Sequence, residues 1–138
     1  VGLSEFRKLY PHQLSSGMKQ RVALARALVA NPSLLLMDEP LGALDELTRS
    51  KMRYELLRIW EGSGKTVVLV THSITEAVMM ADSVAIMSSR PGHIVQQVDI
   101  DLPRPRDGTI EKSPRFLDYS EQLRNILSSE AEFDPPVT

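Results

Sequence analysis

Two apolar runs, "SLLLMD" at 33–38 and "TVVLVT" at 66–71, flank one amphipathic stretch and constrain this chain more than any other feature. Neither run alternates polar with apolar side chains, the pattern expected of strands covered on both faces. Between them, "LTRSKMRYELLRIW" sets Met52, Leu56, Ile59 and Trp60 at the i, i+4, i+7, i+8 spacing of one helical face. Strand, helix and strand in this order make a βαβ unit, with parallel strands, a right-handed crossover and both strands ending at one edge of the sheet. Ligands of open α/β sheets gather at that carboxyl edge. Asp38 and Glu39 close the first strand and His72 the second, so two carboxylates and an imidazole are predicted to converge there.

The remaining segments extend the alternation. Residues 1–13 are short and mixed, with "YPHQ" reading as a turn, and Ser15-Ser16 precede "GMKQRVALARALVA", apolar nearly all round and so expected to be buried on most faces. Asn31-Pro32 closes that helix. After His72, Ser73-Ile74-Thr75-Glu76 has the form of a capping box before a short helix with Ile74, Ala77, Val78 and Ala81 on one face. "SVAIMS" and the alternating "IVQQVDIDL" read as strands around an "RPGH" turn, and "LPRPRD" as a proline-stiffened connector. Ser113 is placed to cap a last helix with Pro114 at its first position and Phe116, Tyr119, Leu123 and Ile126 in a stripe. The end, "EFDPPVT", is expected to fray. Strands alternating with helices predict an α/β fold with a mostly parallel sheet and flanking helices.

"EGSGKT" at 61–66 ends as a phosphate-binding P-loop does, but spacing and context both fail. The motif asks for its first glycine five residues before Gly64, where Ile59 stands, and for a strand before and a helix after. Here a helix precedes and a strand follows. Gly62 and Gly64 read as a helix stop, and Lys65-Thr66 as the start of the next strand.

Composition narrows the function classes. Sixteen Lys and Arg against eighteen Asp and Glu leave a net charge of -2, without the basic stripe of a nucleic-acid binder. There is no cysteine, which removes disulfides and thiolate chemistry. No apolar run has the length of a membrane span, and the first residues lack a signal-peptide pattern. The chain begins at Val1, so a longer parent is expected.

Three motifs carry chemistry. "LLLMDEP" puts an acidic pair after a buried run. The first carboxylate can hold Mg²⁺ together with water and substrate phosphates, and its neighbour can take a proton from a water aimed at a phosphate. Singly the signals are ordinary: an Asp-Glu pair is often a solvated turn, a lone His a hydrogen-bonded structural residue, and "LSSGMKQ" an N-capped helix start. In this order and spacing they resemble the ATP-binding cassette (ABC) proteins. Leu14-Ser15-Ser16-Gly17-Met18 resembles the L-S-G-G-Q signature, Leu34–Glu39 the Walker B strand, Leu41-Gly42-Ala43-Leu44-Asp45 the D-loop, and Thr71-His72 the switch histidine. The later "RPGHIVQQVDIDLPRPR" and "SPRFLDYSEQL" are similar to the ATPase subunits of nitrate, sulfonate and taurine importers.

The resemblance implies a P-loop NTPase-like fold acting on ATP with Mg²⁺. Asp38 would orient the metal, Glu39 would polarise the attacking water, and His72 would bind the γ-phosphate. Ser15, Ser16, Gly17 and Met18 would meet the nucleotide of an opposite subunit, with Asp45 at the dimer interface; Gln20 and Arg21 continue the signature helix without an assigned role. It further implies a head-to-tail dimer, membrane permease subunits, indirectly a periplasmic or surface substrate-binding protein, and no nucleic acid. The location implied is the cytoplasmic face of the plasma (inner) membrane, held peripherally. Residues 1–31 would end a helical subdomain, 32–100 form half of the catalytic core and 101–138 a C-terminal connector and helix. Ser16 and Met18 depart from the signature Gly and Gln, implying weakened or altered engagement. The family's Walker A loop, adenine-stacking aromatic and Q-loop have no counterpart in these residues, so this stretch alone is expected to be inactive. The alternatives are a soluble ABC-type ATPase acting on nucleic acid or ribosomes, and a catalytically silent fragment.

Overall fold

Runs of β-branched and leucine side chains form the strands where the sequence sets them. In the computed structural model, which describes residues 1–132, β1 (Leu34–Asp38) pairs in parallel with β2 (Thr66–Val70). Their register puts Leu34 opposite Thr66 and Asp38 opposite Val70, so both strands end together. The chain divides into two compact units, Val1–His72 and the residues from Ser73 on.

In the first unit, α1 (Ser16–Val29) starts where the Ser15 hydroxyl accepts the Met18 N–H at 3.2 Å. The crossover helix α2 (Glu46–Trp60) starts where Asp45 accepts the Thr48 N–H at 3.0 Å. Each cap satisfies a donor that the first helical turn leaves without a backbone partner. Asn31, with a left-handed φ of 47°, stops α1 as predicted.

Within this unit, burial departs from the sequence reading in three places. Only Leu35 and Met37 of β1 are buried, while Leu34 and Leu36 on its other face are exposed, as are Val68 and Val70 of β2. A crossover helix covers one face of its strand pair, and among the described residues the second face of this pair stays open. On α2 the buried residues are Met52, Arg53, Leu56 and Leu57, whereas Ile59 is exposed; the buried stripe is rotated towards the i+1 and i+5 positions. In α1 only Leu24 is buried, and Val22 and Val29 face solvent, so a helix apolar nearly all round has here one covered side.

The "EGSGKT" segment behaves as a helix stop. Gly62 and Gly64 take positive φ values of 83° and 67°, which side-chain-bearing residues rarely adopt. Lys65 Nζ donates to Asn31 Oδ1 at 2.6 Å and to the Pro32 carbonyl at 3.1 Å. The lysine therefore ties the turn after α1 to the start of β2, at the end of the strands opposite Asp38. Four residues of strand, about 13 Å, separate it from the carboxyl edge.

In the second unit, α3 (Ile74–Met80) is capped by Ser73, whose hydroxyl accepts the Glu76 N–H at 3.2 Å. Val78, Met79 and Met80 are buried together with Glu76. β3 (Ser83–Met87) and β4 (Ile94–Asp99) form an antiparallel pair, so the α/β fold combines one parallel and one antiparallel pair. α4 (Pro114–Glu132) begins beyond Ser113, whose hydroxyl accepts the Phe116 N–H, and buries Phe116 and Leu123. From residue 133 on, the expected fraying of "EFDPPVT" lies outside the described residues.

The connector after β4 is held by a buried side chain. Arg106, 4% exposed, donates to the carbonyls of Val78, Met79 and Ala81 through Nη1 and to those of Ile100 and Leu102 through Nη2, at 2.6–3.3 Å. Guanidinium N–H groups thus supply partners to the end of α3, where carbonyls lack intrahelical donors. Arg104 adds the Met80 carbonyl and a 2.8 Å ion pair to Asp82.

Candidate functional site

The carboxyl edge of β1 and β2 brings together the two side chains that the sequence placed there. His72 Nε2 lies 2.6 Å from Glu39 Oε1, and both side chains are open to solvent. β1 delivers Glu39 and β2 delivers His72 because the parallel register ends both strands at one level. Asp38 is exposed beside them as the last residue of β1.

Glu39 is held by its backbone. Its φ of 45° lies in the left-handed region that non-glycine residues seldom occupy. Its N–H donates to the Val70 carbonyl at 2.8 Å, extending the ladder by one residue. Its own carbonyl accepts the Gly42 N–H at 3.1 Å and Gln20 Nε2 at 3.2 Å. In the turn that follows, a Cβ at Gly42 would make ordinary van der Waals contact with the Glu39 carbonyl oxygen at 3.4 Å.

The signature-like and D-loop-like segments form two walls of one cleft of about 430 Å³. Ser15, Ser16, Gly17 and Met18 line one side, and Ala43, Leu44 and Asp45 the other. Gly17 permits the approach, since a Cβ there would meet Leu44 Cδ2 at 3.1 Å. The N-terminal residues of α1 line this cleft, and the dipole of a helix N-terminus favours an anion. Ser16 does not have a positive φ, so serine at this glycine position carries no left-handed strain. Asp45 caps α2, and the Thr48 hydroxyl and N–H hold its carboxyl below the usual carboxylate range.

Arg49 escapes sequence reasoning altogether. From the first turn of α2 it donates to the carbonyls of Leu41 at 3.3 Å and Leu44 at 2.9 Å, fixing the loop that ends in Asp45. Its ion pair with Glu46 at 3.2 Å is the i,i+3 contact that a helix supplies to any such pair, so no pattern marks it out. Gln20 likewise became readable only through its contact with Glu39.

Among the described residues no group of three or more His, Cys, Asp or Glu could hold a metal unaided. Mg²⁺ is ordinarily held by one or two carboxylates, with phosphates and water completing the shell. A single exposed Asp38 carboxylate at the strand end fits that minority share. No described helix is long and apolar enough to cross a membrane.

Comparison with known proteins gives this geometry a context. The ABC transporter family matches residues 1–42. An ABC transporter ATP-binding protein of Methanocaldococcus jannaschii is 52% identical over 94% of this chain and 48% of its own length. The taurine import ATP-binding protein TauB of Rhizobium johnstonii is 48% identical over 94% of this chain and 51% of its own length. The nitrate import ATP-binding protein NrtD of Synechocystis is 44% identical over 92% of this chain and 50% of its own length. The chain therefore spans about half the length of these curated relatives. Among solved structures, a dimeric ATP-binding cassette in a post-hydrolysis state with ADP and phosphate superposes with a TM-score of 0.63 at 38% identity. That likeness covers 72% of this chain and 42% of the other. In sequence and in P-loop NTPase-like fold, the chain resembles the ATP-binding subunits of ABC transporters, those of the taurine and nitrate importers included.

Proposed function

We propose that this chain supplies the hydrolytic edge of an ABC importer's ATP-binding subunit, and that its parent hydrolyses ATP to drive uptake of a small oxyanion or sulfonate. The observation that carries the reading is the 2.6 Å contact between His72 and Glu39 at the shared carboxyl edge of β1 and β2. The half-length match to the relatives and the open apolar face of the β1–β2 pair support a parent that contributes further strands and the phosphate-gripping loop. Within that parent, residues 1–31 belong to a helical subdomain, 32–100 to the catalytic core and 101–138 to a C-terminal connector and helix.

Glu39 accepts a proton from a water as its oxygen bonds to the γ-phosphorus; the bond to the β,γ-bridging oxygen breaks, releasing ADP and phosphate. Held against the Glu39 carboxylate, the His72 imidazole would hydrogen-bond the γ-phosphate and the attacking water and stabilise charge developing there. Asp38 would hold Mg²⁺, which when bound neutralises phosphate charge. Ser15, Ser16, Gly17 and Met18 offer the N-terminus of α1 to the γ-phosphate of a nucleotide held by a second copy, arranged head to tail. Asp45 lies at that contact. Permease subunits are the membrane partners and the substrate-binding protein an indirect one, which places the subunit peripherally on the cytoplasmic face. The residues described here, alone, turn over ATP negligibly.

The test is Glu39→Gln in the full-length subunit that contains this sequence, with phosphate release measured at saturating ATP. Loss of a positioned general base lowers the rate about 10²- to 10⁴-fold. Hydrolysis at the unaltered rate would remove Glu39 from the mechanism.

A further inference from the structure

We infer that Gln20 is a positioning residue that couples the α1 helix to the catalytic carboxylate: its side-chain amide holds the Glu39 backbone in the conformation that presents the carboxylate to His72. The inference rests on the proposed role of Glu39 and adds a residue to which neither the motif likeness nor the comparisons give a part.

Glu39 is one of two described non-glycine residues with positive φ, and the other, Asn31, merely stops a helix. A left-handed residue at a functional edge persists only where its surroundings over-determine it. Three hydrogen bonds do so here, and they differ in origin. The Val70 carbonyl belongs to the neighbouring strand and the Gly42 N–H to the same tight turn. Gln20 Nε2, at 3.2 Å, is the one side-chain donor among the three, and it comes from a helix, nineteen residues away in sequence. The side chain leaves α1 one turn beyond Gly17, from the helix whose N-terminus forms a wall of the signature-like cleft. A shift or rotation of α1 when an anion occupies that cleft therefore reaches the Glu39 carbonyl through one amide.

The backbone carbonyl, rather than the carboxylate, is what Gln20 grips. It leaves both Glu39 oxygens available, one to His72 and one to a water, and sets only where they point. A positioning contact of this kind acts on the transition state more than on nucleotide binding, because reaction rates fall steeply with small misplacement of the catalytic group.

The experiment compares Gln20→Met and Gln20→Glu with the unaltered full-length subunit. Both substitutions keep the side chain's length and remove the N–H donor, Met without adding charge. Expected for both is a kcat lowered about 10- to 100-fold with KM for ATP changed less than about twofold. Gln20→Lys, which retains a donor at that reach, should recover most of the loss. In a Glu39→Gln background, Gln20→Met should change the residual rate less than about twofold, since there is no base left to position. A wild-type kcat in Gln20→Met and Gln20→Glu, beside a severe loss in Glu39→Gln, overturns the coupling while leaving the functional reading intact. Equal proportional losses from Gln20→Met in both backgrounds overturn it as well, because they would show an effect independent of the carboxylate. Glu39→Gln at the unaltered rate sinks the functional reading and this inference with it.

Discussion

The two units of this molecule both supply cationic side chains to the carbonyls at the ends of their elements, and they differ in where they leave apolar surface open. In the unit from Ser73 on, Arg106 from the connector donates to five carbonyls at the ends of α3 and β4, and Phe116 and Leu123 of α4 are buried. The unit Val1–His72 carries the chemistry and leaves Leu34, Leu36, Val68 and Val70 facing solvent on one side of its parallel pair. An open apolar face on a parallel strand pair accompanies the unit whose edge is built to meet other things. Contiguous exposed apolar surface of this kind marks an interface or an association hazard.

The comparison breaks most directly at Arg106. Arg106→Met should destabilise the second unit by about 3 kcal/mol, because several buried carbonyls lose their donor at once. Hydrogen exchange should show this as faster exchange of the β4 and α4 amides in the variant. Protection unchanged from the unaltered chain would make the arginine a bystander and undo the likeness between the units.

Inside the first unit the same contrast predicts that position, not residue type, decides the effect. Leu56, fully buried on α2, and Leu36, 68% exposed on β1, are both leucines that the sequence pattern assigns to the core. Leu56→Ala should lower stability by about 2–5 kcal/mol, and Leu36→Thr should leave it within about 0.5 kcal/mol. Trp60, the single tryptophan, reports both urea titrations by its fluorescence. Leu36→Thr should also reduce self-association in light scattering. A large loss of stability from Leu36→Thr would mean that this face is covered after all.

These positions also show what the sequence could and could not convey. Strand ends, helix caps and the meeting of Glu39 with His72 were legible, because caps, periodicity and parallel register are local rules that need only the chain's own order. The open side of β1 was not legible. "SLLLMD" reads the same whether or not a second layer covers it, so the apolar run predicted two covered faces where one is observed. The rotation of α2's buried stripe towards Arg53 and Leu57 was hidden for a related reason: the aliphatic stem of an arginine can be buried while its sequence letter reads as polar. Gln20 and Arg49 remained invisible because each acts on a backbone carbonyl, and carbonyls carry no sequence signal.

In their response to acid the two units are alike. Each has one carboxylate held below its usual range by a threonine hydroxyl and backbone N–H groups: Asp45 at the start of α2 by Thr48, and Asp107 in the connector by Thr109. A carboxylate with a depressed folded-state pKa contributes stability that is present above its unfolded value and is lost as pH falls through the folded one. The window is therefore below about pH 4, where an unperturbed aspartate titrates. Asn is also a good N-cap acceptor but does not titrate there, so Asp45→Asn should flatten the acid decline while keeping α2 capped. The measurement is the urea midpoint of Trp60 fluorescence between about pH 2 and 5. The unaltered chain should lose stability more steeply than Asp45→Asn across that window, by a small margin because the carboxylate is exposed to solvent. Parallel curves would show that the Thr48 contacts, although present in the fold, leave the proton equilibrium of Asp45 where it stands in the unfolded chain.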